Sequence, residues 1–215
     1  MTDAPQRPHP TDVPAPAAAP LDVPAPVTRT SLATDVALVS TFAAFIAVCA
    51  ILPAIPTPSG VPITLQTFGV ILAGLVLGWR RGALAVALYL AVGLAGVPVF
   101  SGGAGGLAVL AGPTVGYLLA FPFGAALAGA FAGRALRVPV AWRYAALVGS
   151  GLAASFLTIH PAGIAGLMAR LGLPFGEALA IDVVYWPGDV VKNLLAAAVA
   201  LAVFRAFPDL LRTRR

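Results

Sequence analysis

The stretch Val183-Val-Tyr-Trp-Pro-Gly-Asp-Val-Val-Lys-Asn-Leu-Leu-Ala-Ala-Ala-Val-Ala-Leu-Ala-Val-Phe204 sets an aspartate and a lysine, Asp189 and Lys192, into a run that is otherwise almost wholly Ala, Val and Leu. At about 1.5 Å of rise per residue, a helix of this length spans roughly 30 Å, the thickness of a bilayer's hydrocarbon. A lone Asp or Lys at mid-membrane costs about 2.5–3.5 kcal/mol each on insertion scales. The i, i+3 spacing puts both side chains on one face, where each partly offsets the other's charge. Apolar residues would hold the helix in lipid at lower cost, so the pair marks a functional site.

The rest of the chain agrees with a membrane reading. Of 215 residues 60% are hydrophobic and 10% charged, with mean hydropathy +0.95. A soluble domain carries about 25% charged residues. The short alternating segments of a transmembrane β-barrel are missing. The single cysteine, Cys49, sits in an apolar run and reads as a small buried hydrophobe. The net charge of +5 comes from arginines at segment ends rather than along one groove-tracking face, which argues against nucleic acid as a partner.

The expected fold class is an all-α integral membrane protein with six transmembrane helices and a disordered N-terminal tail. Residues 1–32 form the Pro/Ala-rich cytoplasmic tail, with Asp-Val-Pro-Ala-Pro at Asp12–Pro16 and again at Asp22–Pro26. Residues 33–207 form the substrate-binding domain and 208–215 a basic cytoplasmic tail. The six spans run over about 35–52, 63–78, 82–97, 114–136, 142 into the 160s, and 181–204. His160-Pro161 is expected to disturb the end of the fifth. With the N-terminus in the cytoplasm, Arg7, Arg29, Arg80, Arg81, Arg134, Arg137, Arg143, Arg205, Arg212, Arg214 and Arg215 fall on the cytoplasmic side. Arg170 alone falls on the other side. This positive-inside pattern predicts a multi-pass protein of the cell membrane with both termini cytoplasmic.

Several motifs carry chemistry. On the first span Ala33 and Ala37, then Ala43 and Ala47, form small-xxx-small spacings that let helix backbones approach closely, either within the bundle or against a partner membrane protein. Val61-Pro-Ile-Thr-Leu-Gln-Thr-Phe68 puts Thr64, Gln66 and Thr67 at the mouth of a span, where they serve a helix start or a ligand. Ser101-Gly-Gly-Ala-Gly-Gly106 cannot be regular helix at low cost. Irregular backbone near membrane depth lines a cavity or is buried in protein, and the amides of Gly102, Gly103, Gly105 and Gly106 could form a nest for an anionic group. Gly112-Pro-Thr-Val-Gly-Tyr117 follows. On the last span Pro187 suits a first helical turn and Asn193 extends the polar face, while the Pro187-Gly188 break assigns Asp182 to the preceding loop. His160 has no second ligand at metal spacing, so no metal site is expected. No Ser-His-Asp arrangement or phosphate-binding Gly-x-x-x-x-Gly-Lys motif is legible, so neither an enzyme nor a cofactor is expected.

Taken in order, Val-Pro-Ile-Thr-Leu-Gln-Thr-Phe68, Arg80-Arg81-Gly82, Leu-Ala-Gly-Val-Pro-Val-Phe100, Gly-Gly-Ala-Gly-Gly106, Gly-Pro-Thr-Val-Gly-Tyr117 and Pro-Gly-Asp-x-x-Lys192 closely resemble the BioY family over about residues 35–205. These are the biotin-specific S components of energy-coupling factor (ECF) transporters. The resemblance implies six helices holding biotin near the extracellular side, coupled to a transmembrane protein and a pair of ATPases. It also implies a biotin site built on Asp189 and Lys192, with Tyr117, the Gly102–Gly106 loop and the Thr64–Phe68 segment (Thr64, Gln66, Thr67 and Phe68) around them. The chain departs from the family pattern at Leu157-Thr-Ile-His160-Pro161, where a Gly- and Trp-containing stretch is expected. Two rival functions remain open at this level: a stand-alone or proton-coupled secondary transporter of biotin or a related small carboxylate, and an intramembrane enzyme with Asp189 as general base.

Overall fold

Helix α1, Leu32–Ile51, starts where Ser31 Oγ accepts the Thr34 N–H at 3.1 Å and stops at Leu52, just before Pro53. The computed structural model describes residues 31–213. After α1 the chain turns through 52–65, pinned by an isolated antiparallel bridge between Ile55 and Ile63. Helices α2, Gln66–Leu77, and α3, Trp79–Leu94, then follow with only Gly78 between them. Gly78 has φ +88°, a value that glycine takes without strain. Two short 3₁₀ turns, Ser101–Gly103 and Leu107–Ala111, carry the chain to α4, Val115–Ala135. Helices α5, Arg143–Ala154, and α6, His160–Leu171, are joined without interruption by a π turn, Ser155–Ile159. The bundle ends with α7, Phe175–Val183, α8, Trp186–Ala206, and a short α9, Asp209–Thr213.

Helix α4 packs against α2, α3, α5 and α6 and is the axis of the bundle. Lipid tails are as apolar as leucine, so helices in a membrane associate by close backbone packing rather than by expelling water. The α4 face supplies it: Gly116 lies on the backbone of Ala162 and Gly166, Gly124 on Ile159, and Gly129 on the Gly78 turn. Helix α2 is buried from Gly69 to Leu77, which explains why it reads as apolar all round. At the opposite end from the α8 ion pair, Arg81 is buried and paired with Asp35, tying the start of α3 to α1.

Among the described residues four helical stretches are long and apolar enough to cross a membrane: Leu32–Ile51, Val115–Ala135, Val140–Leu171 and Trp186–Ala206. Helix α2 has 12 residues and α3 has 16, short of the roughly 20 that a lipid-facing span needs.

Three expectations change. His160-Pro161 does not end the fifth span, which continues to Leu171. The π turn absorbs the proline: the His160 N–H reaches back to Ser155 O, a wider turn in which the Pro161 ring and its missing N–H are accommodated. Asp182 lies in α7 rather than in a loop, because Pro174 starts a separate helix over Phe175–Val183. The C-terminal segment includes the helical turn Asp209–Thr213. Of the expected tail of residues 1–32, residues 1–30, with Arg7 and Arg29, lie outside the described residues, as do Arg214 and Arg215, while Ser31 caps α1 and Leu32 begins it.

The close approach of α4 to α6 has a measurable consequence. Gly116→Val would drive a side chain into the Ala162 carbonyl, and overpacking of this kind costs about 1–3 kcal/mol or more. Thermal unfolding of the detergent-solubilised protein should show a lowered midpoint for Gly116→Val and an unchanged or raised one for Gly149→Ala, whose added methyl meets open space.

Candidate functional site

Pro187 occupies the first turn of α8, so Asp189 sits at the positive end of that helix with Lys192 one turn further on. Both side chains are buried, and Lys192 Nζ donates to Asp189 Oδ1 at 2.9 Å. Thr67, from the first turn of α2, completes a triangle. Its hydroxyl donates to Asp189 Oδ1 at 3.1 Å and accepts from Lys192 Nζ at 3.0 Å. Asn193 turns back to donate to the Asp189 carbonyl at 2.8 Å.

A second carboxylate lies behind this pair. Asp182 of α7 is fully buried and accepts the Tyr117 hydroxyl and the Trp186 indole N–H, each at 2.8 Å. His160, the first residue of α6, stands between the two acids. Its Nδ1 lies 2.9 Å from Asp182 Oδ2 and its Nε2 lies 3.4 Å from Asp189 Oδ2. Phe156 and Trp186 pack on the imidazole ring, with centroids 4.5 and 6.2 Å away.

In front of Asp189 and Lys192 is a small cavity that both side chains line. Its polar wall is Thr64, Gln66, Thr67, His160, Asp189 and Lys192; its apolar wall is Val61, Ile63, Leu118, Phe121 and Ile159, with the Tyr117 and Tyr185 rings. A wider cleft adjoins it and shares Pro62, Gln66, Ser101, Thr114 and Leu118. That cleft lies between the 52–65 segment and the 100–114 turns, so the two connections form the mouth of the inner cavity. Tyr185 fastens the first of them: its hydroxyl donates to the Val61 carbonyl at 3.0 Å and lies 2.9 Å from Ser59 Oγ.

Of the residues singled out in the sequence, Asp189, Lys192, Tyr117, Thr64, Gln66 and Thr67 line the inner cavity. Phe68 does not; its ring packs edge-on against Phe45 of α1, 6.1 Å away. Gly102 lines only the outer cleft, and Gly103, Gly105 and Gly106 line neither. The glycine loop is not an open nest, because the Gly103 N–H donates to Phe100 O at 3.0 Å and the Gly106 N–H to Gly93 O at 2.7 Å. The four alanines of α1 do not share one outward face: Ala33 and Ala37 are exposed, Ala47 is half-buried and Ala43 is buried in the bundle. Sequence reasoning left out Asp182, Tyr185 and Trp186 and set His160 aside. The i, i+4 spacing of Asp182 and Trp186 was the available signal, hidden by reading Asp182 as loop. Among the described residues no cluster of three His, Cys, Asp or Glu side chains forms a metal site.

Membrane-length helices enclosing a small, largely apolar cavity with an ion pair in its wall define the class: a multi-pass membrane protein with a solute-binding pocket. Residues 20–209 match the model of the BioY family, and the chain belongs to that family. It is 41% identical over 189 residues to the biotin transporter BioY of Rhodobacter capsulatus, covering 84% of this chain and 98% of the relative. It is 39% identical over 184 residues to the biotin transporter BioY of Rhizobium etli, covering 81% and 95%. Its fold matches the crystal structure of the S-component for biotin from an ECF-type ABC transporter with a TM-score of 0.70 and 28% identity, covering 80% of this chain and 92% of that one.

The Tyr185 fastening is testable without a ligand. Tyr185→Phe removes hydrogen bonds that hold 57–61, each worth about 1 kcal/mol, a factor of about five in local opening. Hydrogen–deuterium exchange should speed up by about that factor or more in peptides covering 55–63, with exchange in α4 unchanged.

Proposed function

We propose that this protein binds biotin in the cavity beside Asp189 and Lys192 and mediates its uptake as the substrate-capture subunit of an ATP-driven ECF transporter. The observation that carries the reading is the ion pair itself, buried and yet facing an apolar cavity. Lys192 spends two of its three N–H bonds on Thr67 and Asp189, leaving one for an acceptor in the cavity. Asp189 Oδ2 has only the long contact to His160, so it retains lone pairs for a donor. A cyclic urea presents that complement: N–H groups for Asp189 and a carbonyl oxygen for Lys192. Tyr117 and Phe121 then cover the apolar bicycle. Ser101 and Thr114, at the junction of the cavity and the cleft, supply hydroxyl donors for the valerate carboxylate.

Six crossings follow if α1, α2, α3, α4, the continuous α5–α6 stretch and α8 each traverse the cell membrane, with the short α2 crossing inside the protein rather than against lipid. The Gly78 turn beside Arg80 and Arg81 packs on Gly129, five residues before Arg134, which supports placing these arginines together on the cytoplasmic side. Both termini are then cytoplasmic and the cavity opens outward. Transport requires a transmembrane coupling protein and two ATPase subunits, since the chain has no phosphate-binding Gly-x-x-x-x-Gly-Lys motif. The exposed part of α1, with Ala33 and Ala37, is the proposed contact with that coupling protein.

Isothermal titration of biotin into the purified protein tests the site. Each variant loses a hydrogen bond between the ligand and a charged group, worth about 1.5–3 kcal/mol, so Asp189→Asn and Lys192→Ala should each weaken binding by about ten-fold or more. Unchanged affinity in both variants would remove the core of the proposed site. In cells, uptake should survive collapse of the proton gradient and stop on depletion of ATP; the reverse result would favour a proton-coupled carrier.

A further inference from the structure

We infer that His160, held by Asp182, is a specificity-determining residue whose charge makes this cavity accept an uncharged cyclic urea and reject a cationic analogue. The inference rests on the biotin reading above and goes beyond it, to how the pocket chooses among ligands of one shape.

Hydrogen-bond counting fixes the state of the histidine. Asp182 Oδ1 and Oδ2 already accept the Tyr117 hydroxyl and the Trp186 indole N–H, and His160 Nδ1 lies within 3.0 Å of both oxygens. An ionised carboxylate only accepts, so against an ionised Asp182 Nδ1 carries a proton. The other ring nitrogen, Nε2, has no hydrogen-bond partner and is buried, 3.4 Å from Asp189 Oδ2. A bare Nε2 would aim its lone pair at a carboxylate oxygen, whereas an N–H there is attracted to it. The arrangement therefore calls for protons on both nitrogens.

Charge counting gives the same answer. The groups buried around the cavity are two carboxylates, Asp182 and Asp189, and one ammonium, Lys192. Alone they leave one uncompensated negative charge in an apolar bundle, which costs several kcal/mol. An imidazolium between the two acids makes the cluster neutral. The π turn supports this placement: it lies directly before His160, and π turns inside helices are frequent at functional sites.

Selectivity follows from that balance. A neutral cluster meets a neutral urea with hydrogen bonds and no net field. A cyclic guanidinium of the same outline would put a positive charge against Lys192 and within reach of the imidazolium, both of which repel it. Removing the His160 charge leaves the cluster at net minus one and favours the cation.

The test compares biotin with 2-iminobiotin, in which a cyclic guanidine replaces the cyclic urea, at near-neutral pH where the guanidine is protonated. Calorimetric Kd values for both ligands are measured on the wild type, His160→Gln and His160→Phe. One charge a few ångströms away through an effective dielectric of about 20 changes the relative affinity by about ten-fold or more. The preference for biotin over 2-iminobiotin should fall by that factor in both variants. A role in packing alone would weaken both ligands alike, and an unchanged ratio would overturn the inference while leaving the biotin reading intact. A wild type that binds neither ligand would overturn both. Should the variants fail to fold, ¹⁵N imidazole spectra of the unliganded protein carrying His9→Gln decide the matter. Two protonated ring nitrogens in His160 support the inference, and a single-protonated tautomer defeats it.

Discussion

Four ionisable side chains buried in an apolar bundle, Asp182, His160, Asp189 and Lys192, are the constraint around which this protein is organised. A buried charge is tolerated only when it is paired and hydrogen-bonded, so each of these groups needs donors or acceptors from elsewhere in the chain. Thr67 comes from α2, Tyr117 from α4, His160 from α6, Asp182 from α7 and the ion pair from α8. Satisfying the charges therefore fixes how five helices meet. The same groups, once satisfied, leave one lysine N–H and one carboxylate oxygen facing the cavity, which is what a small polar ring requires.

The packing that supports this cluster is made of small residues. Glycines along α4 let Ala162, Ile159 and the Gly78 turn approach the helix closely. Such contacts give rigidity without a hydrophobic driving force, which lipid does not supply. A rigid frame of this kind can hold charges apart from lipid, and the two connections at the cavity mouth are tied to it at a few points, among them Gly106 N–H to Gly93 O at 2.7 Å and Tyr89 Oη to Val99 O at 3.2 Å. Tyr185 bridges the two parts, because its ring lines the cavity and its hydroxyl holds Val61 and Ser59. Ligand and mouth segment thus meet on one side chain.

Much of the lining of the inner cavity was legible in the sequence. Asp189 and Lys192 stood out because charge in hydrocarbon is costly and their spacing puts them on one helical face. Thr64, Gln66 and Thr67 were visible as polar residues in excess of what a helix start needs. The glycine loop was over-read: four glycines in five positions suggested free amides, but those of Gly103 and Gly106 bond to neighbouring carbonyls and the loop forms the rim. Phe68 was assigned by proximity to Thr67, yet adjacent residues on a helix point in different directions, and its ring turns to α1.

The sequence by itself determined that this is a helical membrane protein, which helix carries the polar face, and that its arginines gather at the ends of apolar segments. Those properties follow from local periodicity, from hydropathy and from charge counted along the chain. Only the tertiary structure decided that His160 and Asp182, 22 residues apart on different helices, lie in contact with each other and that His160 reaches Asp189. A buried ionisable group is read from its partners, and its partners are set by how helices distant in sequence come to lie side by side.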